Sequence, residues 1–238
     1  MRLNPVTRGD LRARTASPKI VWVVRLYVAV LGLLAVFTLP AEGPLPGLAD
    51  RELTQLLLLF TLGWIAYLTS ALAVGEIGVE GEKALLDLAV TSFSPETIAA
   101  GKVLTSAIFA AVLVLAAAPL VALVVPLDPA RVGAVVRALS VMIVVAVPLG
   151  AVGTWLTVAV PSDLVRTLVH WSLFLGLFAA TRWLAAPLAL VNPLRLVAAA
   201  YQGAPGIWPV AMAPYLLVTA GGVVLIARSV RRVREAAL

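Results

Sequence analysis

The sequence predicts an all-α membrane protein of six transmembrane helices with both termini in the cytoplasm. Three observations carry this: an apolar composition, six long apolar runs, and lysine and arginine gathered at the two ends of the chain. Of the 238 residues, 62% are hydrophobic and 13% charged, and the mean hydropathy is +1.04. The charged share is about half the ~25% usual in a globular domain, so polar side chains are too few to cover this much apolar material in water. Soluble and disordered classes are excluded. Six crossings of a ~30 Å hydrocarbon core take roughly 120 to 130 residues, which leaves no room for a second large soluble domain. The chain has no cysteine, so a disulfide framework, a thiolate metal site and a cysteine nucleophile are excluded as well.

The apolar runs are Ile20 to Leu39, Leu53 to Val74, Val103 to Val125, Ala134 to Val160, Thr167 to Leu190 and Pro209 to Ala227, each long enough to cross a bilayer. The first is too long for a signal-peptide core and is read as a retained helix. Arg2, Arg8, Arg12, Arg14, Lys19 and Arg25 cluster at the first run; Arg228, Arg231, Arg232 and Arg234 follow the last. The positive-inside rule then places both termini in the cytoplasm, which requires an even number of crossings and agrees with six. Residues 1–19 are expected to form a basic cytoplasmic segment, 20–227 the transmembrane domain with an inner loop at 75–102, and 228–238 a basic cytoplasmic tail. The formal charge of +6 is read as lipid-surface anchoring and orientation, and not as nucleic-acid contact.

Ionisable residues inside a span are functional candidates by default, and there are four: Arg25, Arg137, His170 and Arg182. The first three lie close enough to a span end to snorkel. Arg182 is deeper, ~22 Å from the start of its span, and is a candidate for a pathway or an interface. No span carries Asp or Glu at its middle, which weighs against the carboxylate relays of proton-coupled carriers. His170 lacks neighbours at metal-ligand spacing, and the adjacent Trp171 suggests an interfacial position. Gly150 and Gly153 in the fourth span, and Gly221 and Gly222 in the sixth, let another helix approach and are candidates for a helix-packing or subunit contact. Pro119, Pro148, Pro187 and Pro214 permit kinks.

The inner loop reads as two helical pieces around an elbow at Thr91 to Phe93. In the first, Glu76, Glu80, Lys83 and Asp87 share one face, with Lys83 an ion-pair partner for Glu80 and Asp87; Leu85, Leu88 and Ala89 form an apolar stripe on another. In the second, Ser94 is an N-cap, Pro95 occupies the first helical position and Glu96 the first turn of a helix that runs on into the third span. A surface helix joined through a capped elbow to a membrane helix can pass a push from the cytoplasm into the bilayer.

These features resemble the ABC-2 family of ABC transporter permeases, whose members share six spans, cytoplasmic termini and an inner loop with an acidic pair, spaced leucines, a proline and a closing Gly-Lys. Glu80 and Glu82 match the acidic pair, Leu85 and Leu88 the leucines, and Gly101-Lys102 the close. Asp87 stands where Glu is usual, Ala84 where Gly is usual, and Ser92-Phe93-Ser94-Pro95 departs from the common Thr-Pro-Leu-Ser. The resemblance implies the family's fold, the type V exporter-like architecture. It also implies that the loop is a coupling helix that docks on a separate ATPase subunit through Glu80, Glu82, Lys83, Leu85, Asp87 and Phe93. Asn192-Pro193-Leu194 through Tyr201-Gln202-Gly203 is similar to the short outer segment before the last span in that family, with Arg195, Tyr201 and Trp208 expected at the outer interface.

No cofactor or catalytic residue is expected in this chain. Gly101-Lys102 is followed by Val103 and lacks the upstream glycine of a phosphate-binding loop, so ATP and Mg are expected on the partner ATPase. The other expected partners are a second permease copy or paralogue and membrane lipid. The implied function is the permease of an exporter for a hydrophobic or amphipathic cargo in the cytoplasmic (inner) membrane. Two competing readings remain open: an ion-coupled carrier depending on Arg182 or His170, and a non-transporting membrane scaffold or maturation factor.

Overall fold

The computed structural model describes residues 4–38, 51–75, 91–124, 129–179, 183, 188–203 and 207–237. Among the described residues the chain forms nine α-helices: α1 (Pro5–Ala16), α2 (Pro18–Thr38), α3 (Arg51–Val74), α4 (Pro95–Val124), α5 (Pro129–Ala159), α6 (Asp163–Phe178), α7 (Pro193–Gln202), α8 (Ile207–Ala211) and α9 (Ala213–Ala237). A 3-10 turn at Leu188–Val191 precedes α7. Long apolar runs have few other options, because backbone N–H and C=O groups in hydrocarbon must be paired within the segment. Five helices, α2, α3, α4, α5 and α9, are long and apolar enough to cross a membrane. The chain is a helical, multi-pass membrane protein on that ground.

The bundle is organised around α3, of whose apolar stretch 72% is buried, against 22% for α2 and for α9. α3 packs most extensively on α5, and α5 in turn on α4 and α9. The main core gathers Tyr27 and Leu31 of α2, Leu58, Leu62 and Ile65 of α3, Leu113 of α4 and Met142 of α5. Tyr27 places its hydroxyl on the Leu113 carbonyl at 3.2 Å, so a polar group inside the bundle is satisfied across two helices. The exposed sides of α2, α6 and α9 carry Leu26, Leu33, Leu164, Leu168, Leu216 and Leu217, apolar faces suited to lipid. Pro119 and Pro148 lie inside α4 and α5, whereas Pro214 falls in the first turn of α9, where its missing amide hydrogen costs nothing.

Gly150 and Gly153 are where α5 meets its neighbours. A Cβ at Gly150 would stand 2.7 Å from the Ser106 Cβ of α4 and 3.2 Å from Thr69 Cγ2 of α3, and one at Gly153 would stand 3.0 Å from the Ser70 carbonyl oxygen. Both glycines serve helix packing within the chain. Gly222 likewise faces Ala151, at 2.8 Å from an added Cβ, but Gly221 faces open space.

The two ends of the bundle are marked by contacts. At one end the start of α1, the start of α4 and the end of α9 come together: Asn4 Nδ2 donates to the Thr97 carbonyl at 2.9 Å, and Arg231 pairs with Glu96 at 2.7 Å. At the far end α7 lies against the starts of α3 and α5, with Gln202 Nε2 3.3 Å from Gln55 Oε1 and Arg137 Nε donating to the Ala200 carbonyl at 3.3 Å. α6 leads from the end of α5 towards that far end.

Here the structure departs from the expected fifth span. The helix begins at Asp163 and ends at Phe178, 16 residues in all, instead of running from Thr167 to Leu190. Its start is set by Ser162, whose hydroxyl caps Val165 N. At its other end, Asn192 Nδ2 donates to the Phe178 carbonyl at 3.0 Å. The same side chain starts α7, its Oδ1 accepting from Leu194 N at 2.9 Å and Arg195 N at 3.1 Å. One fully buried amide thus closes α6 and opens α7. Asn192→Ala is expected to destabilise the fold by about 2 kcal/mol, the upper range for an N-cap, because the part-buried Phe178 carbonyl loses a donor as well. Thermal unfolding of the purified variant in detergent checks this, with Asn192→Asp, which keeps the cap, retaining part of the stability.

Two helix boundaries and one side-chain position differ as well. The segment 1–19 holds a helix, α1, opened by Asn4 with Pro5 behind it. The last long helix starts at Ala213, because Pro209 belongs to the separate α8. Tyr201, expected at an interface, is buried in the main core; it lies on the face of α7 that also buries Leu196, Val197 and Ala200.

Candidate functional site

The end of the bundle that holds both termini carries its own small core, distinct from the main one. Val6 of α1, Ile98, Ala99 and Val103 of α4, Ala151 of α5, and Ile226, Ala227 and Val230 of α9 are buried together, and Phe93, Trp155 and Val233 pack against them. Four helices and the elbow that precedes α4 converge there.

α1 docks along the first turns of α4. Thr7 Oγ1 donates to the Gly101 carbonyl at 3.0 Å, and a Cβ at Gly101 would meet Val6 Cβ at 2.8 Å. Gly101 is therefore a close-packing position inside a helix. Lys102 Nζ, next to it, pairs with Asp10 Oδ1 at 2.8 Å, with side chains only 11% and 17% exposed. One turn beyond Asp10, Arg14 lies over the Phe109 ring, 5.5 Å from its centroid. Burial pushes the Arg14 guanidinium below the ordinary arginine value, and the charge of Asp10 opposes that shift. The basic termini are thus partly internal: Arg14, Arg231 and Arg234 are engaged within the protein, while Arg8, Arg12, Lys19, Arg25, Arg228 and Arg232 are exposed.

The elbow, Thr91 to Phe93, precedes a capped helix start. Ser94 Oγ accepts from Thr97 N at 3.1 Å, Pro95 is the first helical residue and Glu96 lies in the first turn, as the sequence predicts. From the other side the tail of α9 reaches across. Arg234 Nη2 donates to the Thr91 carbonyl at 3.0 Å and to the Phe93 carbonyl at 2.7 Å.

Of the expected coupling residues, Phe93 is half-buried at this elbow. Glu80, Glu82, Lys83, Leu85 and Asp87 lie outside the described residues, and so does Arg182. His170 is buried inside the bundle: it is 4% exposed, with Nε2 2.8 Å from Ser70 Oγ of α3. Ser70 Oγ is also 2.8 Å from the Ala66 carbonyl. With its hydroxyl hydrogen directed to Ala66, the serine accepts from His170 Nε2–H, a satisfied inter-helix bond and not an activated nucleophile. Tyr67, Trp171 and Phe174 surround the pair. Arg137 is held at the far end by Ala200, and Arg25 lies near Trp22 at 5.8 Å on an exposed face.

Among the described residues no group of three His, Cys, Asp or Glu could hold a metal ion. The starts of α1 and α4, the end of α9 and the elbow are thus packed together, and the chain entering α4 touches several helices. The site was partly missed from sequence. Asn4-Pro5 and Asn192-Pro193 repeat the cap-then-proline signal recognised at Ser94-Pro95, and reading them alike would have found α1 and α7. Compared with known proteins, the chain matches no protein-family profile and no curated protein.

Proposed function

We propose that the chain is the permease subunit of an ABC exporter of the ABC-2 type. In this reading six segments cross the cytoplasmic membrane, α6 being the short fifth, and both termini and the elbow face the cytoplasm. A separate ATPase subunit, holding ATP and Mg, docks on the inner loop through Glu80, Glu82, Lys83, Leu85, Asp87 and Phe93. Two permease chains line the path, and the apolar character of the spans suits a hydrophobic or amphipathic cargo. The observation that carries the reading is the junction at Thr91 to Lys102. There the exit of an acidic inner loop enters, through a capped elbow, a 30-residue helix long enough, at ~45 Å, to cross a bilayer. Gathering both termini at that same end supports an even number of crossings. Gly101-Lys102 sits inside α4, with Lys102 committed to Asp10, which favours a nucleotide site on the partner.

ATP-driven closure of the ATPases would displace the inner loops and shift the spans between two arrangements, in proportion to the difference in contact energy between the two states. The test is gentle purification of the tagged chain from its native host, with mass spectrometry and an ATPase assay. A Walker-motif subunit is expected at near-equal amounts, and Glu82→Lys is expected to abolish stimulation of its ATPase. Repeated purification of the intact chain without any ATPase, under conditions that preserve a known complex, would overturn the reading.

A further inference from the structure

The last crossing helix does not stop where its apolar run ends. α9 continues without a break from Ala213 to Ala237, about ten residues past Ala227, or ~15 Å at the helical rise. That extension is packed: Val230 is 1% exposed, and Val233 lies against the small core with Phe93. It ends on the elbow, where one guanidinium nitrogen of Arg234 serves two carbonyls, those of Thr91 and Phe93. These carbonyls precede α4 and are outside helical bonding, so a charged donor is a strong partner for them. The neighbouring Arg231–Glu96 pair has both side chains 59% exposed, where water screens it and leaves little net contribution. Among the described residues, Arg234 is therefore the principal polar link seen between the elbow and α9.

The consequence is geometric. The elbow is continuous with α4 through the Ser94 cap and is fastened to α9 through Arg234. A displacement arriving from the inner loop is shared between two helices that are far apart in sequence but packed on each other. We propose that Arg234 is a positioning residue that fastens the elbow to α9, so that α4 and α9 move as one unit when the inner loop is pushed. The coupling half of this proposal rests on the permease reading; the fastening half does not.

The absence of cysteine allows both halves to be read in the full chain. Spin labels at Ser92→Cys and Glu235→Cys, both exposed positions, report the elbow-to-tail distance by dipolar broadening. In the chain without ATPase, Arg234→Ala is expected to remove that broadening, Arg231→Ala to leave it, and Arg234→Lys to restore it in part. In the complex with ATPase, the unsubstituted chain is expected to keep that broadening with and without ATP, whereas Arg234→Ala is expected to keep the ATPase bound but lose the broadening and the stimulation of hydrolysis. Unchanged broadening in a monodisperse Arg234→Ala chain overturns the fastening. Lost broadening with full stimulation overturns the positioning role. If the unsubstituted chain captures no ATPase, the permease reading and the coupling half fail together, and the first arm still reports the fastening separately.

Discussion

Gly150→Leu is expected to destabilise the bundle by about 3 kcal/mol, among the largest effects of any single substitution in the chain. The reason is that the clash cannot be relieved by a rotamer. A Cβ at this position meets Ser106 Cβ at 2.7 Å, an atom fixed to the α4 backbone, so α5 and α4 must move apart and α3 must follow at Thr69. In lipid, helix association depends on close van der Waals packing, and separation forfeits it directly. Gly63 and Gly176 provide the contrast, since nothing lies within 4 Å of a Cβ at either. There an alanine meets no obstacle and gains about 0.8–1 kcal/mol of helix propensity. Unfolding midpoints in detergent should therefore move in opposite directions for Gly150→Leu and Gly63→Ala. Equal midpoints would show that the α4–α5 contact does not limit stability.

Asp10→Ala is expected to cost about 3 kcal/mol, the lower end of the range for removing one partner of a buried pair, since some water reaches both side chains. Lys102 would be left as a poorly solvated cation under α1, and the buried Arg14 would lose a nearby carboxylate that supports its charge. The double change Asp10→Leu with Lys102→Met should recover part of the loss, because Lys102 is then no longer an unpaired cation, while Arg14 still lacks the Asp10 carboxylate. Circular dichroism melts of the two variants and the unsubstituted chain, with limited proteolysis to follow release of α1, measure the effect. If Asp10→Ala were neutral while α1 remained protected, the contacts of Asn4, Val6, Thr7 and Arg14 with α4 would suffice to hold the helix.

Most of the fold is legible in the sequence where composition alone decides the conformation. Ile20, Leu57, Leu113 and Met142 sit in runs that hydrocarbon forces into helices, and α2 to α5 lie close to the expected spans. The Ser94-Pro95 start of α4 is legible because the cap and the proline are local signals. The end of α6 is not, because Phe178 is followed by further apolar residues and the chain turns on Asn192, 14 residues away. Tyr201 and His170 read as interfacial for a related reason. Each is amphipathic, and only the packing partners, the main core for Tyr201 and Ser70 of α3 for His170, decide that they face inward. The small core at the terminal end is likewise invisible in sequence: Val6, Ile98, Ala151 and Val230 come from four separate segments that no period connects. The close packing at Gly150 and Gly153 follows from the residue type, but that it lies within one chain required the positions of Ser106 and Ser70.

In the proposed permease the elbow faces the cytoplasm and touches an ATPase subunit, and one residue can report both. Ser92 is exposed at the elbow, and in a chain without cysteine Ser92→Cys provides a single reactive thiol. A membrane-impermeant maleimide followed by a photo-crosslinker on that thiol is the direct measurement. Labelling confined to inverted vesicles, with light-dependent attachment to a Walker-motif subunit, is the predicted result. Labelling from the outside of intact cells, or crosslinks to lipid and to no ATPase, would contradict it.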